Sequence, residues 1–361
     1  MVLMLQCQWP HKALSILTVT GVLGCLQTAS GAPQTYRVSD FSNEFEAKVT
    51  VDDGDGNEVF RRGAVAVYDR ASGKRLLEVH SDELTFDVEQ GVVASNVVEL
   101  PYGRQSVVIY ADFNFDGQKD LAIMDGQESC YHGPSFTVFL RTTRGFVTSP
   151  AFTRLAHEYC GMFSVDVVKR QLATMTKSGC CWHQFNTYAV VRSLPQVIQS
   201  TEESLTQFSP NYVEVKSTGQ HPSHEYFLNA ENTSRTEVLS FALAGNPEKR
   251  VKILLTENGL DYVLIAGERE RVEFSYLLDV NGYRNDRKPR EAPVPFTWFS
   301  HTQTLSFANG RYLYTVYDQQ ARLGVEVTTP QKKTFIAGVV ASKRGSLEAL
   351  GKATADNVVV K

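Results

Sequence analysis

The sequence predicts an all-β protein, with antiparallel, β-sandwich-like sheets arranged in two domains, on three observations. Its periodic runs are strand-like, rich in Val, Ile, Thr, Tyr and Phe. Turn residues return every eight to twelve positions. No repeated alternation of strands with amphipathic helices appears, so βαβ units are excluded. Of 361 residues, 42% are hydrophobic and 21% charged, enough for two cores of ordinary size. With 36 Lys and Arg against 40 Asp and Glu, the chain is mildly acidic, and no basic stripe offers itself to nucleic acid.

Taken in order, residues 1–31 read as an export signal. His11 and Lys12 precede the apolar run "ALSILTVTGVLG", which is too short to span a bilayer as a helix. Ala29 and Gly31 suit cleavage before Ala32. Alternatively "VLGC", Val22 to Cys25, matches a bacterial lipobox, with Cys25 as the lipid-bearing residue and Leu26 directing sorting to the outer membrane. The expected location is therefore the periplasm, with or without an outer-membrane anchor.

A first β domain is expected over residues 33–200. "AVAVYDRASGKRLLEVH" is a hairpin around Ser72-Gly73. "QSVVIYADF" and "DLAIMDG" are strands flanking the most unusual stretch of the chain. There Asp112, Asn114, Asp116, Gln118 and Asp120 fall at alternate positions, with Gly117 at the bend. Calcium takes six to eight oxygen ligands, and alternate residues of a tight loop can aim their oxygens at one centre, Gln118 through its carbonyl. Phe113 and Phe115, in between, can face away from the ion. An EF-hand would need Glu at the twelfth position and flanking helices, whereas Ile123 and two strands are found. The loop is similar to the strand-loop-strand calcium sites of integrin-type repeats. Three carboxylates so close repel one another without a cation, so a structural Ca2+ is expected in preference to a bare turn or a catalytic pair.

Four cysteines follow the leader: Cys130, Cys160, Cys180 and Cys181. An even set in an exported chain favours disulfides. A bond between neighbours would close an awkward eight-membered ring, so Cys130 and Cys160 are each expected to pair with one of the adjacent two. Zinc held by these cysteines and His183 is the rival, weakened by the lack of a CxxC clamp. "KSGCCWHQFNTY" combines a Ser178-Gly179 turn, tied cysteines, and the contact-type side chains Trp182 and His183. A rigid loop with an aromatic anchor suits partner binding, because little ordering entropy remains to be lost. The competing reading makes Trp182 a core residue that the disulfides staple.

Residues 201–226, with scattered polar residues and two prolines, read as a connector. A second β-sandwich-like domain is expected over 227–361. Its hairpins turn at Asn258-Gly259 and at Asn309-Gly310, the latter as a type I′ turn. The tail from Ser342 onward is weakly patterned. No propeller-like repeat is present. "VDDGDGNEV" and "LDVNGYRND" lack ligand spacing and read as turns. His221 and His224 are separated from a helical HxxH by Pro222, and "AHEYC" lacks the second histidine of a zinc protease. With no GxSxG, phosphate-binding loop or dinucleotide glycine set, the chain is expected not to be an enzyme.

The export signal, "DFNFDGQKDLAI", "GPSFTVFL" and "SGCCWH" occur in that order. Over about residues 36–200 the chain thereby resembles the bacterial cell-envelope calcium-binding proteins similar to I-type lysozyme inhibitors. Some of that group are immunity proteins that neutralise peptidoglycan-cleaving toxins of the bacterial-killing type IV secretion system. The resemblance implies calcium on Asp112, Asn114, Asp116, Asp120 and the Gln118 carbonyl, and a lysozyme-like peptidoglycan hydrolase as protein partner. It also implies that a loop bearing Ser-Gly and then an aromatic enters the enzyme's cleft. Ser178 and Gly179 match, but Cys180 and Cys181 intervene before Trp182. The alternative expectation is a non-inhibitory glycan- or protein-binding module with a structural calcium.

Overall fold

The computed structural model describes residues 32–361 apart from 53–58, 101–102, 207–208, 277–294 and 353–354. The leader with Cys25, most of "VDDGDGNEV", and all of "LDVNGYRND" therefore lie outside the described residues. The chain is all-β: its described strands form sheets of six, four, eleven and six members, with antiparallel pairing dominant.

Alternation decides which residues face inward. In the strand Phe45–Val51, "FEAKVTV", Phe45, Ala47, Val49 and Val51 are buried and the residues between them are not. Each such Val or Phe removed from water contributes roughly 1.5–3 kcal/mol. The first core gathers these with Val65 and Val67 of the next strand, with Leu121, Ile123, Phe136 and Val138 of the four-stranded sheet, and with Leu172 and Tyr188. One α-helix among the described residues, Pro150–His157, closes this core. It starts with proline, where no amide is needed, and buries Phe152, Leu155 and Ala156 at helical spacing.

The second core lies between the strands from Thr236 to Ala266 and the last six-stranded sheet, with Phe241, Ile253, Phe296, Trp298 and Phe307 buried. The weakly patterned tail joins it: Leu347 and Leu350 are buried, and Val358–Val360 pairs in parallel with Phe296–Phe299. The hairpin at Asn309-Gly310 forms, but Asn309 pairs with Tyr312 as a strand residue. Gly310 then takes the first loop position at positive φ (58°), the place glycine holds in a type II′ turn rather than the expected I′.

The expected connector is instead strand. Leu194–Thr206, Ser209–Gly219 and Ser223–Leu228 pair in series inside the eleven-stranded sheet, which runs from the first core to the second. Pro210 sits near a strand start and Pro222 in a turn, the positions where proline removes no needed ladder bond. Leu194–Thr206 buries neither face, whereas the next two strands bury Tyr212, Val215, Tyr226 and Leu228 at scattered positions, and Tyr212, Tyr226 and Leu228 pack with Leu254, Val263, Ile265 and Val272 in a third, smaller core. Polar pairs cross the strands, with the Thr201 and Ser217 hydroxyls 2.8 Å apart and Glu214 2.7 Å from His224, and Lys216 on Glu214's own strand adds an ion pair at 3.0 Å. No helix among the described residues is long and apolar enough to cross a membrane.

Candidate functional site: an acidic loop and a hairpin tip

The acidic loop joins Val108–Ala111 to Asp120–Ser129, closed by the pairing of Ala111 with Asp120. Phe113 and Phe115 turn into the first core, and Phe113 meets Phe163 edge-on at 5.3 Å. The polar residues between them turn back on the loop. Asp112 accepts the amides of Asp116 (3.1 Å) and Gly117 (2.8 Å), and Asn114 Oδ1 also accepts Asp116 N–H. Asp116 Oδ1 accepts the Gln118 amide at 2.8 Å, and its Oδ2 accepts Asn114 Nδ2 at 3.1 Å. Gly117 makes the bend at φ 91°, a conformation costly for any residue with a Cβ.

Asp120 lies beneath, 0% exposed, and accepts the amides of Phe113 and Arg141, both at 2.8 Å. Burial pushes its carboxyl up to about 6 against those donors, and the nearby Asp116 charge adds to the rise. Among the described residues no three Asp, Glu, His or Cys side chains already converge as a metal site. The donor set is nonetheless the all-oxygen kind that a hard cation takes. Asp112, Asn114 and Asp116 all face the loop interior, where their oxygens hold backbone amides. Two groups that the spacing does not mark brace this loop: Arg170 donates to the Phe115 carbonyl at 2.5 Å, and Asn114 Nδ2 reaches Ser193 Oγ at 3.3 Å.

Arg170 and Ser193 belong to one end of a long hairpin, Gln171–Ser178 with Trp182–Val191. Its other end is the predicted partner loop. Ser178 pairs with Trp182, leaving Gly179, Cys180 and Cys181 as the turn, with Gly179 at φ 64°. Ser178, Gly179 and Cys180 are exposed and Trp182 half-buried, so Trp182 is not a core residue. Trp182 and His183 are adjacent on a strand and project to opposite faces, so the structure does not bring them together. His183 instead shares its face with Phe185, their rings nearly parallel at 6.4 Å.

The disulfides differ from the expected pairing: Cys130 bonds Cys160, and Cys180 bonds Cys181. The Cys130 amide donates to the Tyr159 carbonyl at 3.1 Å, and Cys160 N–H to the Met175 carbonyl at 2.8 Å. These bonds set Cys130 and Cys160 side by side, 4.7 Å between Cα atoms, while the adjacent cysteines occupy the hairpin turn and have only each other. With all four sulfurs in disulfides, the zinc alternative falls. Sequence reasoning also missed Tyr131, whose hydroxyl accepts the Gly179 amide at 2.5 Å.

No family model matches this chain, and no curated protein matches it. Among solved structures, a Xanthomonas type IV secretion system related protein is similar at 18% identity, with a TM-score of 0.37, over 52% of this chain and 87% of that one. Prolyl oligopeptidase B from Galerina marginata is similar at 8% identity, with a TM-score of 0.25, over 84% of this chain and 41% of that one. Likeness at this level carries no argument about function.

Proposed function

We propose that this protein is a calcium-stabilised envelope protein, periplasmic or anchored to the outer membrane through Cys25. It binds and inhibits a lysozyme-like peptidoglycan hydrolase, as an immunity protein toward a toxin of the type IV secretion system, and acts by binding rather than turnover. The observation that carries this reading is the hairpin tip. Gly179 to Cys181 project in a turn closed by a disulfide between neighbours, so a partner meets a surface that is already ordered. Charge supports it too. Glycoside hydrolases present paired carboxylates in their clefts. From Val167 to Thr201 this acidic chain has no Asp or Glu, and it carries Lys169, Arg170, Lys177, His183 and Arg192.

The test is inhibition by the purified protein across a panel of lysozyme-like hydrolases, with Trp182→Ala and Ser178→Trp beside the wild type. Tight inhibition by the wild type, weakened about tenfold or more by either change, supports the reading. Undiminished lysis by every enzyme of the panel defeats it.

One observation favours a second reading, a glycan-binding module that leaves lysis unaffected. Phe185 is 41% exposed beside His183, and flat ring pairs on a sheet face suit sugar rings. Binding of soluble peptidoglycan fragments that Phe185→Ala abolishes, without any effect on lysis, would select it.

A further inference from the structure

Tyr131 lies where the sequence gives no reason to look. It follows Cys130 in the short turn Cys130–His132, and both Tyr131 and His132 adopt left-handed backbone conformations, with φ of 54° and 58°. Successive residues with side chains rarely do so unless their surroundings hold them there. Here the Cys130–Cys160 bond and the Cys130 amide on the Tyr159 carbonyl hold the turn. The outcome is an aromatic ring left 61% exposed, which adds little to any core. Its hydroxyl accepts the amide of Gly179, and the Lys177 ammonium lies 4.7 Å from its ring centroid. Next to it, His132 meets Phe60 edge-on at 5.2 Å and faces Glu83 at 3.4 Å. The hairpin tip, Tyr131, His132 and Phe60 thus form one continuous exposed surface drawn from three separate parts of the chain.

We infer that Tyr131 is a second determinant of the recognition surface: its hydroxyl positions the hairpin tip, and its ring, with Lys177 across it, forms the flank against which the rim of a carboxylate-bearing protein cleft closes. This rests on the proposed inhibitory function. The kind of partner follows from the cation held over the ring and from the absence of acidic residues on the hairpin. A backbone amide in a turn would ordinarily be satisfied by water. Spending an exposed tyrosine hydroxyl on it fixes the tip relative to the disulfide-tied turn and so relative to the ring.

The experiment compares wild type, Tyr131→Phe and Tyr131→Ala in the full mature chain. It reads inhibition of the hydrolase that the wild type inhibits best, together with hydrogen exchange of the Gly179 amide and the melting temperature. Tyr131→Phe keeps the ring and loses the acceptor. It should speed Gly179 exchange about tenfold and weaken inhibition about fivefold, with the melting temperature nearly unchanged. Tyr131→Ala should weaken inhibition about thirtyfold or more. Inhibition by Tyr131→Ala within about twofold of wild type overturns the flank. Gly179 exchange unaltered in Tyr131→Phe overturns the positioning. If the wild type inhibits no hydrolase, the inhibitory function itself has failed and the flank falls with it. The Gly179 measurement still decides the positioning separately.

Discussion

The two ends of the hairpin Gln171–Val191 are built on opposite principles. At one end, Arg170 and Ser193 grip the acidic loop, whose carboxylates are consumed by the loop's own amides and whose phenylalanines sink into the core. At the other, Gly179 and Cys180 stand exposed, and the turn is held by the Cys180–Cys181 bond, the Tyr131 hydroxyl on the Gly179 amide and the Leu205 amide on the Cys181 carbonyl. Strands of eight and ten residues put the two about 25 Å apart. The end denser in charged chemistry is the one committed to the fold. The end that carries Lys177 and no carboxylate of its own hairpin is the exposed one, and it is there that the proposed partner would bind. A cluster of ligand-type residues therefore identifies where the chain is held, and preorganisation with exposure identifies where it can act.

The largest perturbation of this contrast removes the tether between the tip and the core. Cys130→Ser opens a disulfide with a sequence separation of 30. Chain entropy alone puts its stabilisation at about 3–4 kcal/mol, read from urea unfolding. Breaking the tip's own ring, by contrast, should scarcely move the unfolding midpoint. A comparable loss of stability in Cys180→Ser/Cys181→Ser would erase the distinction between the two bonds.

Next in size is calcium. At a concentration tenfold above its dissociation constant the ion should stabilise the fold by about 1.4 kcal/mol, seen as a rise in melting temperature. Asp116→Ala should abolish that rise. The effect should also appear in Arg170 and Ser193 rather than at the tip, through faster amide exchange at the hairpin base on chelation. A melting temperature indifferent to calcium would reduce the loop to a self-bonded turn.

The smallest effect serves as a control outside the hairpin. Lys252, on the second core's side of the sheet, is bridged by Glu237 at 3.3 Å and Glu270 at 2.5 Å. Burial pushes the Glu237 carboxyl up, but the Ser240 hydroxyl and the Lys252 ammonium outweigh it and hold it below the ordinary value. A carboxyl depressed in the folded state contributes stability at pH above its unfolded pKa, and that contribution is lost as pH falls through the folded one. Glu237→Gln should therefore flatten the acid limb of the stability profile below about pH 4.5 while leaving calcium dependence and inhibition unchanged. An unaltered acid limb would remove Glu237 from the account.

Much of this was readable in the residues. "FEAKVTV" alternates because one face is buried, and in the loop from Asp112 to Asp120 the bend at Gly117 and two phenylalanines turned away from the polar side chains were legible from spacing alone. Reading failed where stability does not come from apolar periodicity. Residues 201–226 are strands held by backbone ladders, polar pairs and a few buried apolar anchors, Tyr212, Val215 and Tyr226, too sparse to make an alternating pattern. It failed again where contacts join distant segments: Cys130 with Cys160, Asn114 with Ser193, Tyr131 with Gly179.

Local chemistry settled the strand character of the chain, the acidic loop and the presence of a turn at Gly179, one residue beyond Ser178, because each depends on residues within a few positions of one another. The tertiary structure alone decided that a single eleven-stranded sheet links the two cores and that the acidic loop grips one end of the hairpin whose tip lies at the other. It also decided which cysteines pair. These depend on register and on which backbone amides meet across the fold, and neither is encoded at short range.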